Sequence, residues 1–108
     1  MPAKSIPIEV KHEVQRIVDL FNTQVLGARG MAYGVRFRGR HLYLDLDEGG
    51  GPGPICRLEY TGHMNRWGFA IYKYSSDKYD PEEWWFPGAE RVDGTIEGAM
   101  RAGLEAYT

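Results

Sequence analysis

The chain has 108 residues, of which 43% are hydrophobic and 13% aromatic, and its formal net charge is −2. That apolar content excludes a disordered polar chain, and the length suits one domain, 1–108, around a small core. A lone cysteine, Cys56, excludes an internal disulfide and any multi-cysteine metal site, so a reducing, cytoplasmic setting is expected.

Residues 1–76 carry ten Lys/Arg against seven Asp/Glu, a net +3, and residues 77–108 carry three against eight, a net −5. A mildly basic front and an acidic final third suit self-association or a cationic partner. The longest apolar run is far short of the ~20 residues a membrane helix needs, and MPAKSIPIEVKHEV lacks the apolar core of a leader. No membrane association is expected.

Residues 1–6 are expected to fray. Pro7 suits the first turn of a helix, and Val10, Val14, Ile17, Val18 and Phe21 follow at i, i+4, i+7, i+8 and i+11 as one apolar stripe. Asn22, Gly27 and Gly30 are expected to close that helix. From Ala32 the period falls from 3.6 to 2. Tyr33, Val35 and Phe37 alternate with polar residues or glycine, as do Leu42, Leu44 and Leu46. A two-residue type II′ turn at Gly39-Arg40 would pair Phe37 with Leu42, Val35 with Leu44 and Tyr33 with Leu46 on one face, and Arg36 with Tyr43 on the other.

The glycine-rich stretch Gly49 to Pro54 reads as a flexible connection. As a calcium loop it places Asp45, Asp47 and Gly50 at positions 1, 3 and 6, but Gly49 and Cys56 stand where position 5 and the bidentate carboxylate of position 12 are needed. As a phosphate loop it lacks the following Gly-Lys-Ser/Thr, and a strand follows it where a helix is required. Two further strands read as Ile55 to Tyr60, with Cys56, Leu58 and Tyr60 inward, and Trp67 to Tyr74, with Trp67, Phe69 and Ile71 on the larger apolar face. Glu83-Trp84-Trp85-Phe86 reads as a short fifth strand. Two of its aromatics would close the core and Trp85 would point away. Asp93 or Thr95 caps a last helix whose inner face is Ile96, Ala99, Met100, Gly103, Leu104 and Tyr107. Gly98 and Gly103 would let that helix approach the sheet or another helix closely.

The order helix, four- to five-stranded antiparallel meander, helix gives a two-layer α+β fold with both helices on one sheet face. His12, His41, His63 and Cys56 have no ligand-like spacing, so no metal or other cofactor is expected. Cys56 falls in a strand facing the core, without a Cys-His signature, so no catalytic residue is assigned. The second sheet face would carry Arg36, Arg38, Tyr43, Arg57 and Tyr72. Arginines among aromatics stack bases and neutralise phosphates in sheet-based single-stranded nucleic-acid binders, yet Asp45, Asp47 and Glu59 share the face.

In GPICRLEYTGHMNRWGFAIYKYSSDKYD, the residues Pro54, Ile55, Arg57, Leu58, Tyr60, Gly62 and Trp67 form a pattern that resembles a small bacterial domain family of unknown function. DGTIEGAM falls where the final helix of that family begins. The resemblance spans about half the chain and implies an antiparallel sheet with flanking helices and no assigned activity. The functional expectation is a non-enzymatic homodimer or protein-interaction module using Arg36, Arg38, Tyr43, Arg57, Tyr72 and Trp85. The alternatives are a single-stranded nucleic-acid binder on the open sheet face, and a small-molecule site walled by Trp67, Tyr79, Trp84 and Trp85.

Overall fold

The computed structural model describes residues 5–107. Helix α1 spans Ile8–Phe21, immediately after Pro7, and buries Val14, Val18 and Phe21 from the expected stripe. Asn22 is its C-cap but keeps a right-handed helical conformation. The chain winds on through a π-type turn, Asn22–Leu26, and a 3₁₀ turn, Gly27–Arg29, before Gly30 ends the run with φ +68°. The wider turn frees the Asn22 carboxamide, whose Nδ2 donates to the Tyr33 carbonyl (2.9 Å) and whose Oδ1 accepts from the Tyr33 N–H (2.7 Å). Tyr33 lies on an edge strand, so these two bonds replace the missing ladder partner there.

Five antiparallel strands follow as a meander: β1 Ala32–Arg38, β2 His41–Asp47, β3 Pro52–Glu59, β4 Gly68–Lys73 and β5 Lys78–Asp80, in that spatial order. The β1–β2 register pairs Tyr33 with Leu46, Val35 with Leu44, Arg36 with Tyr43 and Phe37 with Leu42, as the alternation requires. Gly39 takes φ +59° while Arg40 stays at negative φ, the signature of a II′ turn. Between β2 and β3 the connection is shorter than expected. Asp47 Oδ1 accepts from the N–H groups of Gly49 (2.8 Å) and Gly51 (3.3 Å), and β3 is already paired from Pro52.

Leu44 pairs with Cys56 and Asp45 with Pro54, which leaves Ile55 as the extra residue of a β-bulge. Ile55 and Cys56 are therefore both buried, where strict alternation would send Ile55 outward. The fifth strand also differs from expectation. Asp77 adopts φ +54°, and the chain reverses so that Tyr79 pairs with Tyr72, while Trp84 to Phe86 are irregular. Asp tolerates this left-handed conformation better than most residues, and the strand starts five residues earlier, at Lys78, than the aromatic cluster suggests.

Helix α2 spans Ile96–Tyr107. Both capping candidates act in its start. Thr95 Oγ1 accepts from the Gly98 N–H (2.9 Å) as the cap, and Asp93 Oδ1 fixes Thr95 through its N–H (3.0 Å) and hydroxyl (2.6 Å). These bonds hold the Asp93 carboxyl below its ordinary range. Gly98 abuts that Asp93 carboxylate rather than the sheet or a helix, whereas Gly103 does lie against the sheet, facing Ile55 and Tyr33.

α1 packs on β1, α2 on β3, and the helices touch each other. Both cover the face built from Tyr33, Leu42, Leu44, Leu46, Cys56, Leu58, Phe69 and Ile71, so the core is one continuous cluster. Ile6 belongs to it. It is 3% exposed and its N–H donates to the Gly39 carbonyl (3.1 Å), so the expected fraying does not extend to it, and residues 1–4 of that expectation lie outside the described residues. No helix among the described residues is long and apolar enough to cross a membrane.

Candidate interaction surface

The sheet face away from the helices presents the registered row Arg36, Tyr43, Arg57, Ala70. Arg36 is the most committed of these. Its guanidinium makes two bonds to Asp45, from Nε (2.6 Å) and Nη2 (3.1 Å), and lies 5.0 Å from the Tyr43 ring centroid. A bidentate carboxylate and a stacked ring fix its plane. Arg57 sits 5.7 Å from the centroid of Tyr79. Tyr79 is the organising residue of the face. From the edge strand β5 its ring meets Tyr72 (5.0 Å) and Tyr43 (5.3 Å), and Tyr72 in turn meets Tyr74 (4.8 Å).

This aromatic lid covers part of what the alternation pattern leaves open. Ala70 is 3% and Tyr72 9% exposed, so Tyr72 is a buried packing residue and is withdrawn as a surface contact. Burial first, then the nearby Asp45 carboxylate, raises the pKa of the Tyr79 hydroxyl. What remains accessible is a hollow of ≈ 480 Å³ lined by Arg36, Phe37, Arg38, Tyr43 and Tyr79. Among the described residues, the Arg38 side chain makes no ion pair or hydrogen bond.

The second feature is the knuckle after β5. Trp85 is 94% exposed and Trp84 46%, while Phe86 is partly buried. Trp84 and Phe86 stack on each other (6.3 Å) and both meet Phe69 (5.8 and 6.0 Å), so they rim the helix-side core and only Phe86 joins it. The knuckle is anchored by polar bonds. Asp80 Oδ1 accepts from the Glu82 N–H (2.9 Å), and the Glu83 carboxylate accepts from the Trp85 N–H (2.8 Å) and from Lys73 Nζ (2.8 Å). Among the described residues, the Glu82 side chain has no such partner.

Lys73 first, then the Trp85 amide, hold the Glu83 carboxyl below its ordinary range, and Glu83 raises the pKa of Lys73. A depressed carboxyl stabilises the folded turn above its unfolded pKa of about 4.3, and that contribution is lost as pH falls through the folded value. The raised lysine keeps its share until pH rises past about 10.4. The Trp85 amide should therefore exchange slowly at neutral pH, relative to its intrinsic rate, and lose that protection on acidification toward pH 3. Unchanged protection, followed by hydrogen exchange, would show that the Glu83 bonds do not order the knuckle.

The four proposed walls of a small-molecule site are not brought together. Trp67 is buried against Tyr60 on the helix side, Tyr79 lies on the opposite face, and Trp85 stands in solvent. Cys56 is fully buried and its thiol pKa is raised by desolvation, which disfavours the nucleophilic thiolate. Among the described residues, no group of three or more His, Cys, Asp or Glu side chains is placed to hold a metal ion. Sequence reasoning missed Tyr79 as the centre of the open face and the Lys73–Glu83 pair beneath Trp85. A period-2 reading of Lys78-Tyr79-Asp80 was the one available signal for the first. Comparison of the chain with family models, with curated proteins and with solved structures gives no match.

Proposed function

We propose that this chain is a cytoplasmic, non-enzymatic protein-interaction module that pairs with a second copy of itself, the Trp85 knuckle of each copy seating in the Arg36–Tyr79 hollow of the other. The observation that carries this is Trp85: an indole 94% exposed on a turn held by the Glu83 and Asp80 bonds. An exposed tryptophan on an ordered turn loses little conformational freedom on binding, and Trp and Arg dominate the energetics of protein interfaces.

Charge supports the choice of occupant. The knuckle lies in the acidic third and offers Glu82, whereas four of the five residues lining the hollow lie in the basic front, Arg38 among them; among the described residues neither side chain has an ion pair or hydrogen bond. An indole entering that hollow would meet the Arg38 guanidinium. Two reciprocal contacts about a two-fold axis close the assembly, so a dimer forms instead of a filament. A nucleic-acid reading of the same face has less support, because Arg36 is committed to Asp45 and the tyrosine rings are occupied by one another and by arginine.

A charge exchange tests the pairing. Arg38→Glu and Glu82→Arg should each weaken self-association by roughly fivefold or more, and the double variant should recover most of the loss. Losses that simply add in the double variant, measured by sedimentation, would separate these two residues and remove the proposed geometry.

A further inference from the structure

A second concavity, of ≈ 490 Å³, lies on the helix side of the molecule and is lined by Val25, Arg29, Arg91, Arg101, Leu104 and Glu105. Its three arginines come from three separate elements: Arg29 ends the 3₁₀ turn Gly27–Arg29, Arg91 ends another, Ala89–Arg91, and Arg101 lies on α2. Like charges around one hollow repel each other, a repulsion that water and salt screen at exposed side chains and that nearby anions offset further.

The chain supplies only part of that offset. Arg91 Nε donates to Glu105 (2.7 Å) and Arg101 Nε donates to Glu97 (3.2 Å). A third carboxylate, Glu90, acts on Arg91 through space, and of the three arginines Arg29 has no ion pair or hydrogen bond among the described residues. Arg101 is further fixed by the Phe21 ring, 5.4 Å from its guanidinium carbon. Both paired arginines are thus held through Nε, and among the described residues neither has a protein partner on its terminal nitrogens. A guanidinium oriented by a carboxylate on one side presents a planar two-donor edge on the other.

We infer that this cleft binds a small organic carboxylate: an oxyanion across the Arg29, Arg91 and Arg101 donors and an apolar body on Val25 and Leu104. Planar guanidinium edges match a planar carboxylate acceptor, and the nearby Glu90, Glu97 and Glu105 carboxylates disfavour a dianion. The volume falls within the usual range for small-molecule sites. This surface is separate from the Trp85 knuckle and the Arg38 hollow, so the inference stands independently of the proposed pairing.

The probe is benzoate, titrated into the full chain while amide and arginine Nε resonances are followed, with benzyl alcohol and phenyl phosphate as comparisons. Benzoate should shift Arg29, Arg91, Arg101 and Leu104 with a Kd on the order of millimolar, as its few heavy atoms allow. Arg29→Gln should weaken it by about tenfold with an otherwise native spectrum. Raising the salt concentration should weaken benzoate binding in the unmodified chain as well, a readout that needs no variant. Equal shifts from benzyl alcohol, no response to benzoate, undiminished binding by Arg29→Gln, or tighter binding of phenyl phosphate would each overturn the assignment.

Discussion

Replacing Gly103 by alanine is expected to destabilise the fold by about 2–4 kcal/mol, although alanine is the better helix former by ~1 kcal/mol. A Cβ at this position would come 2.4 Å from Ile55 Cγ2 and 2.5 Å from the Tyr33 hydroxyl oxygen, inside any tolerable contact. Neither neighbour has free room to retreat. Ile55 is the bulged residue of β3, 3% exposed, and Tyr33, also 3% exposed, donates its hydroxyl to the Met100 carbonyl at 2.7 Å. Overpacking a core costs about 1–3 kcal/mol, and breaking a buried hydrogen bond adds about 1–3.

For a domain of this size a loss of that order lowers Tm by roughly 10–25 °C. In the background of Tyr33→Phe, which removes the oxygen in the way, the cost of Gly103→Ala should fall measurably, because the two sites share one contact. Thermal unfolding of the four proteins reads both effects. A Gly103→Ala variant as stable as its parent would mean that α2 does not lie this close to the sheet.

The second large effect is on assembly. Trp85→Ala should reduce the self-association constant by at least about thirtyfold, the scale of an interface hot spot, while changing folding stability by no more than about 0.5 kcal/mol. The contrast with Trp84 sharpens it. Trp84 stacks on Phe86 and Phe69 and is half exposed, so Trp84→Ala should lower stability as well as association. The Trp85 ring has no such intramolecular contact among the described residues, and only its backbone N–H is tied, to Glu83. A large stability loss from Trp85→Ala would show that the indole packs against its own chain.

The parts of this fold legible in the sequence are those where one period dominates. The α1 stripe and the β1–β2 register follow from spacing alone, because shifting either strand by one residue would send Leu42, Leu44 and Leu46 to the polar face. The inner face of α2 was legible for the same reason. What periodicity does not carry is the single-residue irregularity. The Ile55 bulge depends on how β2 and β3 meet, and the Asp77 turn on one residue entering left-handed space. The three-residue β5 contains Lys and Asp, poor strand formers, and its one aromatic, Tyr79, packs on Tyr72 of β4 and Tyr43 of β2.

The candidate site was half legible. Arg36, Arg38, Tyr43 and Arg57 do share the outer face, and Trp85 does point away from the core. Their committed partners were not readable, since the diagonal Arg36–Asp45 bridge, the Tyr79 lid and the Lys73–Glu83 anchor are set by side-chain geometry across strands. Those partners turn a row of free arginines into a largely self-satisfied face, and they move attention to Arg38, Glu82 and the two tryptophans.

Sedimentation equilibrium of the unmodified chain, over a concentration series reaching the high micromolar range at moderate salt, tests the central claim most directly. The proposed pairing predicts a reversible transition from one to two chain masses, with no higher species and with Trp85→Ala held at one mass throughout. A single chain mass for the unmodified protein at every concentration would contradict it.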